Sequence, residues 1–540
     1  MHLELTHRTL SGRVTVTALA AATALGVAAC GSSSSGGGTT SGGGGASSSG
    51  APSDHTLHLS FLQDPGQPPD PDIYYAGQGL ILTTNAYEGL LRYKPGIATP
   101  TLEGLLATDW TASKDNTTFT FKLRPNVKFH DGTPFTSAAI KASFDRRAAV
   151  NQGPAYMVAD IASITTPDDL DVTIKLKHPN SAFLSYLACA YGPKMMSPTG
   201  LAANKGKDDD QTYLQTHDLG TGPYTITDAE VGSKYAMKAF DGYWGAKPYF
   251  TDIDLPVVTD SSAQQLQFNN GQLAAILHDI PSSAAASFLA NKKVNSYTLP
   301  SMISEYFYVN PASALFKSTA NRLALLKAID TDQIVKQTYF GRGTKATQLY
   351  PANMMSAEFA KQDITVDPSV LKGIVSSAPS SDKNLTIGWD SSQPDSQIVA
   401  NLISTQLAPL GLTVKVQSYP TSAIFGWVGD PKGAPDMLAT PGWPDAPSPY
   451  TWGHISFDPE AGLNYLHCSD KTTTADLAKA LISGSDQDYS DAALAAEQTG
   501  CWMNIANITD FMVAQPWLKG VENAHIVSNP NTLLLANLSA

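Results

Sequence analysis

Gly341-Arg342-Gly343-Thr344-Lys345-Ala346 fits the spacing G-x-G-x-x-A, a form in which glycines let the backbone approach a dinucleotide pyrophosphate. That chemistry needs a strand before the first glycine and a helix after the last, so that a helix N-terminus meets the phosphates. Here a helical pattern precedes the run, and nucleotide binding is set aside. The chain holds no G-x-x-x-x-G-K-[ST], H-E-x-x-H or G-x-S-x-G. Its eleven histidines are scattered, without the i, i+4 pairing of a metal site, and His130 is read as structural. Acidic residues outnumber basic ones 48 to 35, and the net charge of -13 leaves no basic footprint for nucleic acid or for an anionic membrane surface. Composition leaves a secreted glycoside hydrolase open, because the carboxylate separation that defines such a site is three-dimensional.

The four cysteines divide by context. His7, Arg8 and Arg13 precede an uncharged run from Val14 to Ala29, which ends in Val27-Ala28-Ala29-Cys30. A basic start, an apolar run and small residues mark a secretory signal peptide over residues 1–29. The cysteine at the cleavage point resembles a bacterial lipobox, which implies lipid attachment at Cys30 on the extracellular face of the cell membrane. The apolar run is shorter than the ~20 residues a membrane-spanning helix needs. Residues 30–54 are almost wholly Gly, Ser, Thr and Ala, a composition that cannot bury enough apolar surface to order itself, so they are read as a tether. Cys468 and Cys501 fall in one C-terminal region and are the disulfide candidate, while Cys189 sits in an apolar stretch as a buried free thiol.

Leu57, Leu59 and Phe61 alternate as a first strand. Phe119, Phe121 and Leu123 alternate with polar residues as a half-buried strand, and a second short strand is expected over 127–130 before the turn at Asp131-Gly132. Thr136 is expected to cap a helix carrying Ile140 and Phe144 on its inner face. Val172 to Leu176 is another strand, and Gly222-Pro223-Tyr224 opens a strand pair that includes Tyr235-Ala236-Met237. Tyr306 to Asn310 is extended, with helices over 321–329 and 332–338 behind it. Strand 385–389, helix 396–407 and strand 413–416, with Gly411 at the turn, form a βαβ unit and imply a parallel sheet.

Several segments together resemble the family 5 extracellular solute-binding proteins, the peptide- and nickel-type receptors of ABC importers. The match is carried by Trp110-Thr111-Ala112-Ser113, Phe119-Thr120-Phe121-Lys122-Leu123-Arg124 and Val127-Lys128-Phe129-His130-Asp131-Gly132-Thr133-Pro134-Phe135. Tyr87-Glu88-Gly89-Leu90, Gly220-Thr221-Gly222-Pro223-Tyr224 and Tyr306-Phe307-Tyr308-Val309-Asn310 continue it. Ser137-Ala138-Ala139-Ile140 departs from the family by lacking the acidic residue of a capping box.

The resemblance implies an α/β fold of the periplasmic-binding-protein type II, with two lobes and an extra subdomain inserted in lobe I. Lobe I is expected from 55–85, 218–305 and 515–540, its subdomain from 86–217 and lobe II from 306–514, with hinges at 305–310 and 515–520. A solute, most readily an oligopeptide, would be taken between the lobes without catalysis or cofactor by a monomer that then meets ABC permease subunits. A hydrolase or a sensing lipoprotein is the alternative. By position, Tyr74, Tyr75 and Gly77 match the family's ligand-contacting segment, the tyrosines serving either as stacking platforms or as packing. Trp443-Pro444-Asp445 matches the run whose acidic residue pairs with a peptide's α-amino group, with one residue fewer between tryptophan and acid. Asp445 is thus read either as that partner or as a turn residue between prolines, and Trp443 as a cleft contact. Trp389 and Trp427 are read as core or cleft wall.

Overall fold

The computed structural model describes residues 50–540 apart from 357, 360–363, 460, 530 and 531, so the signal-peptide expectation, Cys30 and most of the tether lie outside the described residues. The architecture is mixed α/β, built on a seven-stranded sheet, two four-stranded sheets and a two-stranded pair. Thr56–His58 pairs in parallel with Asp252–Pro256, which continues antiparallel through Lys234–Ala239 to Tyr224–Glu230. Its inward side chains, among them Leu57, Tyr224, Tyr235 and Ile253, are buried with Leu518, Leu533 and Leu535 from the end of the chain.

The second sheet has seven strands, and its spine is two long antiparallel strands, Asn295–Val309 and Trp502–Ala514. At one end Leu299, Met512 and Ala514 belong to the core of the first sheet. At the other, Phe307, Val309, Met503 and Ile505 belong to a separate core with the βαβ unit. The two strands therefore run from one lobe into the other. Their register shifts between Leu299 and Ile303 and again between Glu305 and Tyr306, so the ladder is broken where it passes between the cores. Within segment 305–310 the strand continues to Val309 and ends there, and residues 515–520 begin with a turn closed by Leu518 N–H on Gln515.

In the second lobe Asn384–Asp390 pairs in parallel with Thr413–Tyr419 across the helix Pro394–Leu407, as the βαβ pattern requires. Gly411 turns the chain at φ 95°, a left-handed conformation that favours glycine. The G-x-G-x-x-A run follows the helix Thr331–Thr338 and opens not a helix but the strand Gly343–Lys345, which pairs with Trp502–Ala514. It has no phosphate-binding geometry. Cys468 and Cys501 are joined by a disulfide with Cα atoms 6.2 Å apart, and Cys189 is a buried free thiol whose pKa burial pushes up to about 12.

A four-stranded antiparallel sheet, Ala107–Ala112, Thr118–Leu123, Asp171–Leu176 and Ile161–Thr165, organises the region between. Phe119, Phe121 and Leu123 bury against the helix Ala138–Val150 through Ile140 and Phe144. Two local expectations need correction. Residues 127–130 form no strand; only Lys128 bridges to Pro134, because Asp131-Gly132 turns the chain after one pair. Thr136 does not cap the helix: Ser137 occupies the N-cap, and its hydroxyl donates instead to the carbonyl of Asp168.

Candidate functional site

The segment bearing Tyr74, Tyr75 and Gly77 has no regular structure, so its position depends on what holds it. Asp70 and Asp72 lie just before it, fully buried, and meet two arginines of the helix Ala138–Val150. Arg146 donates to Asp70 at 2.6 and 2.8 Å and to Asp72 at 2.7 Å. Arg147 donates to Asp72 at 2.7 Å and to the carbonyls of Pro71 and Tyr191 at 2.8 Å each. Paired carboxylates and guanidinium groups with their remaining N–H groups satisfied tolerate such burial. The network fixes the loop and Tyr191 to one helix.

On the other side, the strand Met437–Gly442 runs antiparallel to Ser304–Val309 of the spine and delivers Trp443 and Asp445 from its end. Asp445 is buried and accepts hydrogen bonds on Oδ2 from the hydroxyls of Tyr75 and, at 2.8 Å, Tyr156. Burial raises its pKa, opposed by those two hydrogen bonds and by nearby His454. Burial and the Asp445 carboxylate together keep both phenols protonated as donors. Tyr75 is 38% exposed as a residue, yet its hydroxyl end is turned inward to the acid.

The aromatic rings close round this pair. Tyr75 stands edge-on to Tyr191 with centroids 5.3 Å apart, and Trp443 Nε1 lies 3.5 Å from the Tyr191 hydroxyl. A methyl group on Gly77 would sit 2.8 Å from Cζ2 of Trp443, so the indole packs against bare backbone. His454, on the helix Pro449–Phe457, stacks on Tyr450 and bonds Asp458 at 2.6 Å.

Tyr75, Gly77, Trp443 and Asp445 thus converge, while Tyr74 does not. Tyr74 is 2% exposed, packs in the subdomain core and accepts from Gly79 N–H. Trp427 is buried against Tyr419 in the second lobe, and Trp389 packs on the βαβ core. Tyr156 and Tyr191 complete the site without having been singled out by sequence. Tyr156 lies on a four-residue helix and Tyr191 beside a turn, where no spacing marks them. His130 is structural: it meets Asp218 and bonds the Gly222 carbonyl at 2.9 Å. Its burial pulls the pKa down, but Asp218 more than offsets this and the net shift is upward. Glu88, buried in the Tyr87-Glu88-Gly89-Leu90 motif, accepts from Thr221, Tyr243 and Trp244. Among the described residues no three His, Cys, Asp or Glu side chains could hold a metal ion, and no helix is long and apolar enough to cross a membrane.

A family model described as bacterial extracellular solute-binding proteins, family 5 (middle), matches residues 101–463. The Probable D,D-dipeptide-binding periplasmic protein DdpA of Escherichia coli is 27% identical over 404 residues, covering 74% of this chain and 75% of that protein. The periplasmic binding protein DppA of Helicobacter pylori, solved with the peptide STSA, superposes with a TM-score of 0.76 at 19% identity over 89% of this chain and 97% of that one. NikZ of Campylobacter jejuni, solved with Ni(L-His), gives 0.78 at 20% identity over 90% and 100%. The fold is that of the type II periplasmic binding proteins.

Proposed function

Because the chain belongs to the family 5 bacterial extracellular solute-binding proteins, we propose that it is the lipid-anchored receptor of an ABC importer, capturing a short peptide or related solute between its lobes. The observation that carries this is the meeting of Tyr75 and Tyr156, from one side of the cleft, with Asp445, from the other. Oδ2 of Asp445 is engaged by the two phenols, which leaves Oδ1 as the acceptor for a ligand ammonium. A charge-assisted hydrogen bond formed there out of water is about twice as strong as a neutral one. The shorter spacing after Trp443 leaves the acid at the cleft, where Pro444 and Pro447 flank it.

The mechanism is capture without bond making. A solute that touches both Asp445 and the Tyr75–Tyr191 face gains contacts only when the lobes approach, so it shifts the population toward the closed form. The related DdpA is a probable D,D-dipeptide-binding protein and DppA was solved with a peptide, which favours a peptide here. Cys30 and the Gly/Ser tether would hold the receptor within reach of the permease. Isothermal titration with di- to pentapeptides tests the function. One-to-one saturable binding with every peptide recovered intact is expected, whereas release of cleaved product would make the protein a hydrolase.

A further inference from the structure

Beside Trp443 the cleft contains a cavity of about 110 Å³, room for the end of one side chain. Its wall is rich in acceptors. Gln78, Asp279, Glu305, Asp395 and Asp510 line it together with Tyr339 and Arg342. Glu305 is 1% exposed; Ser396 donates to its Oε2 at 3.1 Å, and its Oε1 is buried with no hydrogen-bond partner. The Tyr339 hydroxyl lies beside the same carboxyl and lowers its pKa, against the larger upward push of burial. Gln78 donates to Asp279 at 3.1 Å, and its own Oε1 is likewise buried and unpartnered. Gln78 and Glu305 thus each bring to the cavity wall a buried oxygen without a geometric hydrogen-bond partner, which is costly to leave so.

Around the cavity the acidic Asp279, Glu305, Asp395 and Asp510 outnumber the one arginine, Arg342. Arg342 meets Ser282 at 2.8 Å and Asp395 at 3.5 Å, with its guanidinium 5.2 Å from the Phe511 ring centroid and its Nε unpartnered. Asp279 meets His278 at 2.8 Å, and Asp510 meets His525 at 3.3 Å. An incoming anion would add to Asp279, Asp395 and Asp510. A cation would serve both unpartnered oxygens beside the Trp443 indole. We propose that this cavity takes a cationic group of the bound solute, an ammonium or guanidinium, with Glu305 as its counter-ion, Gln78 as second acceptor and Trp443 as its wall. The proposal rests on the cleft being the solute site.

Burial pushes the Glu305 carboxyl up to about 8, so it is protonated at pH 7 while the cavity is empty. A cation beside it favours the ionised form, and the carboxyl proton leaves to buffer as the ion pair forms. At one unit below that pKa, about 0.9 proton is released per solute bound.

The test is isothermal titration of the full chain at pH 7 in phosphate and in Tris, with Ala-Lys, Ala-norleucine, Ala-Glu and free cadaverine. Wild type is expected to bind Ala-Lys at least about tenfold more tightly than Ala-norleucine, with proton release. In Glu305→Gln that preference should fall below about threefold. Equal affinities for the first two, tightest binding of Ala-Glu through Arg342, or binding of a cation without proton release would overturn the proposal. The buffer comparison on wild type decides the matter even should the variant not fold. If cadaverine binds with proton release and no dipeptide binds, the cation site stands and the solute is not a peptide. If none of the four binds, the proposal falls.

Discussion

Gly77→Ala isolates the contact between the lobes. The added methyl would lie 2.8 Å from Cζ2 and 3.4 Å from Cη2 of Trp443, the first closer than side-chain carbons pack. Gly77 does not have a positive φ, so alanine brings no backbone strain and the whole effect is this contact. Overpacking of this kind costs about 1–3 kcal/mol. On the proposed capture between two lobes, the methyl meets the indole only in the closed form, so the cost falls there. Solute affinity should therefore drop about 5- to 150-fold, at roughly 1.4 kcal/mol per factor of ten, while the thermal midpoint of solute-free protein stays unchanged. Titration calorimetry of the tightest-binding peptide, beside thermal denaturation of empty protein, reads both. In Trp443→Ala the same alanine at position 77 should cost less than threefold. An affinity within twofold of wild type, or an equal loss with and without the indole, would refute the argument.

Asp445→Asn removes the charge but keeps the shape, and an amine-bearing solute should bind about 10- to 150-fold more weakly, the worth of roughly 1.5–3 kcal/mol for a hydrogen bond to a charged group. An N-acetylated peptide should not discriminate the two proteins in the same titration. Glu305 makes a pH prediction. Its folded pKa of about 8 lies above its ordinary 4.5, so the folded state binds the extra proton and stability falls as pH rises between those values. Thermal midpoints across that window should decline in wild type and flatten in Glu305→Gln. Arg147→Met leaves Asp72 with one guanidinium fewer and frees the carbonyls of Pro71 and Tyr191; urea unfolding should show a loss of about 3–5 kcal/mol. Opening the disulfide, which spans 33 positions, by Cys468→Ser with Cys501→Ser should cost about 3–4 kcal/mol by loop entropy, read the same way.

Legibility in the sequence followed periodicity. The alternation of Phe119, Phe121 and Leu123 and the run Leu385 to Trp389 carried their strands because burial on one or both faces imposes such patterns. Residues 127–130 alternate as well, yet only Lys128 finds a partner, since pairing requires a neighbour that sequence does not specify. The length of Asn295–Val309 was hidden because Pro300 interrupts the pattern near its bulge. At the site, Trp443 and Asp445 were visible through motif position, whereas Tyr74 and Tyr75 are indistinguishable neighbours until the backbone sends one to the core and one to Asp445. Tyr156, Tyr191 and Glu305 were illegible for the same reason: each reaches the cleft through long-range packing. Arg146 and Arg147 sit on a helix whose pattern was read, but their acidic partners lie 74 to 76 positions away.

The central claim is that one small solute is held at Trp443 and Asp445 between the lobes. Native mass spectrometry of the protein as purified tests it most directly. The expected spectrum shows a single 1:1 adduct of a small peptide or related solute, retained by wild type and lost from Trp443→Ala and Asp445→Asn. An adduct that both variants keep at wild-type occupancy would contradict the claim.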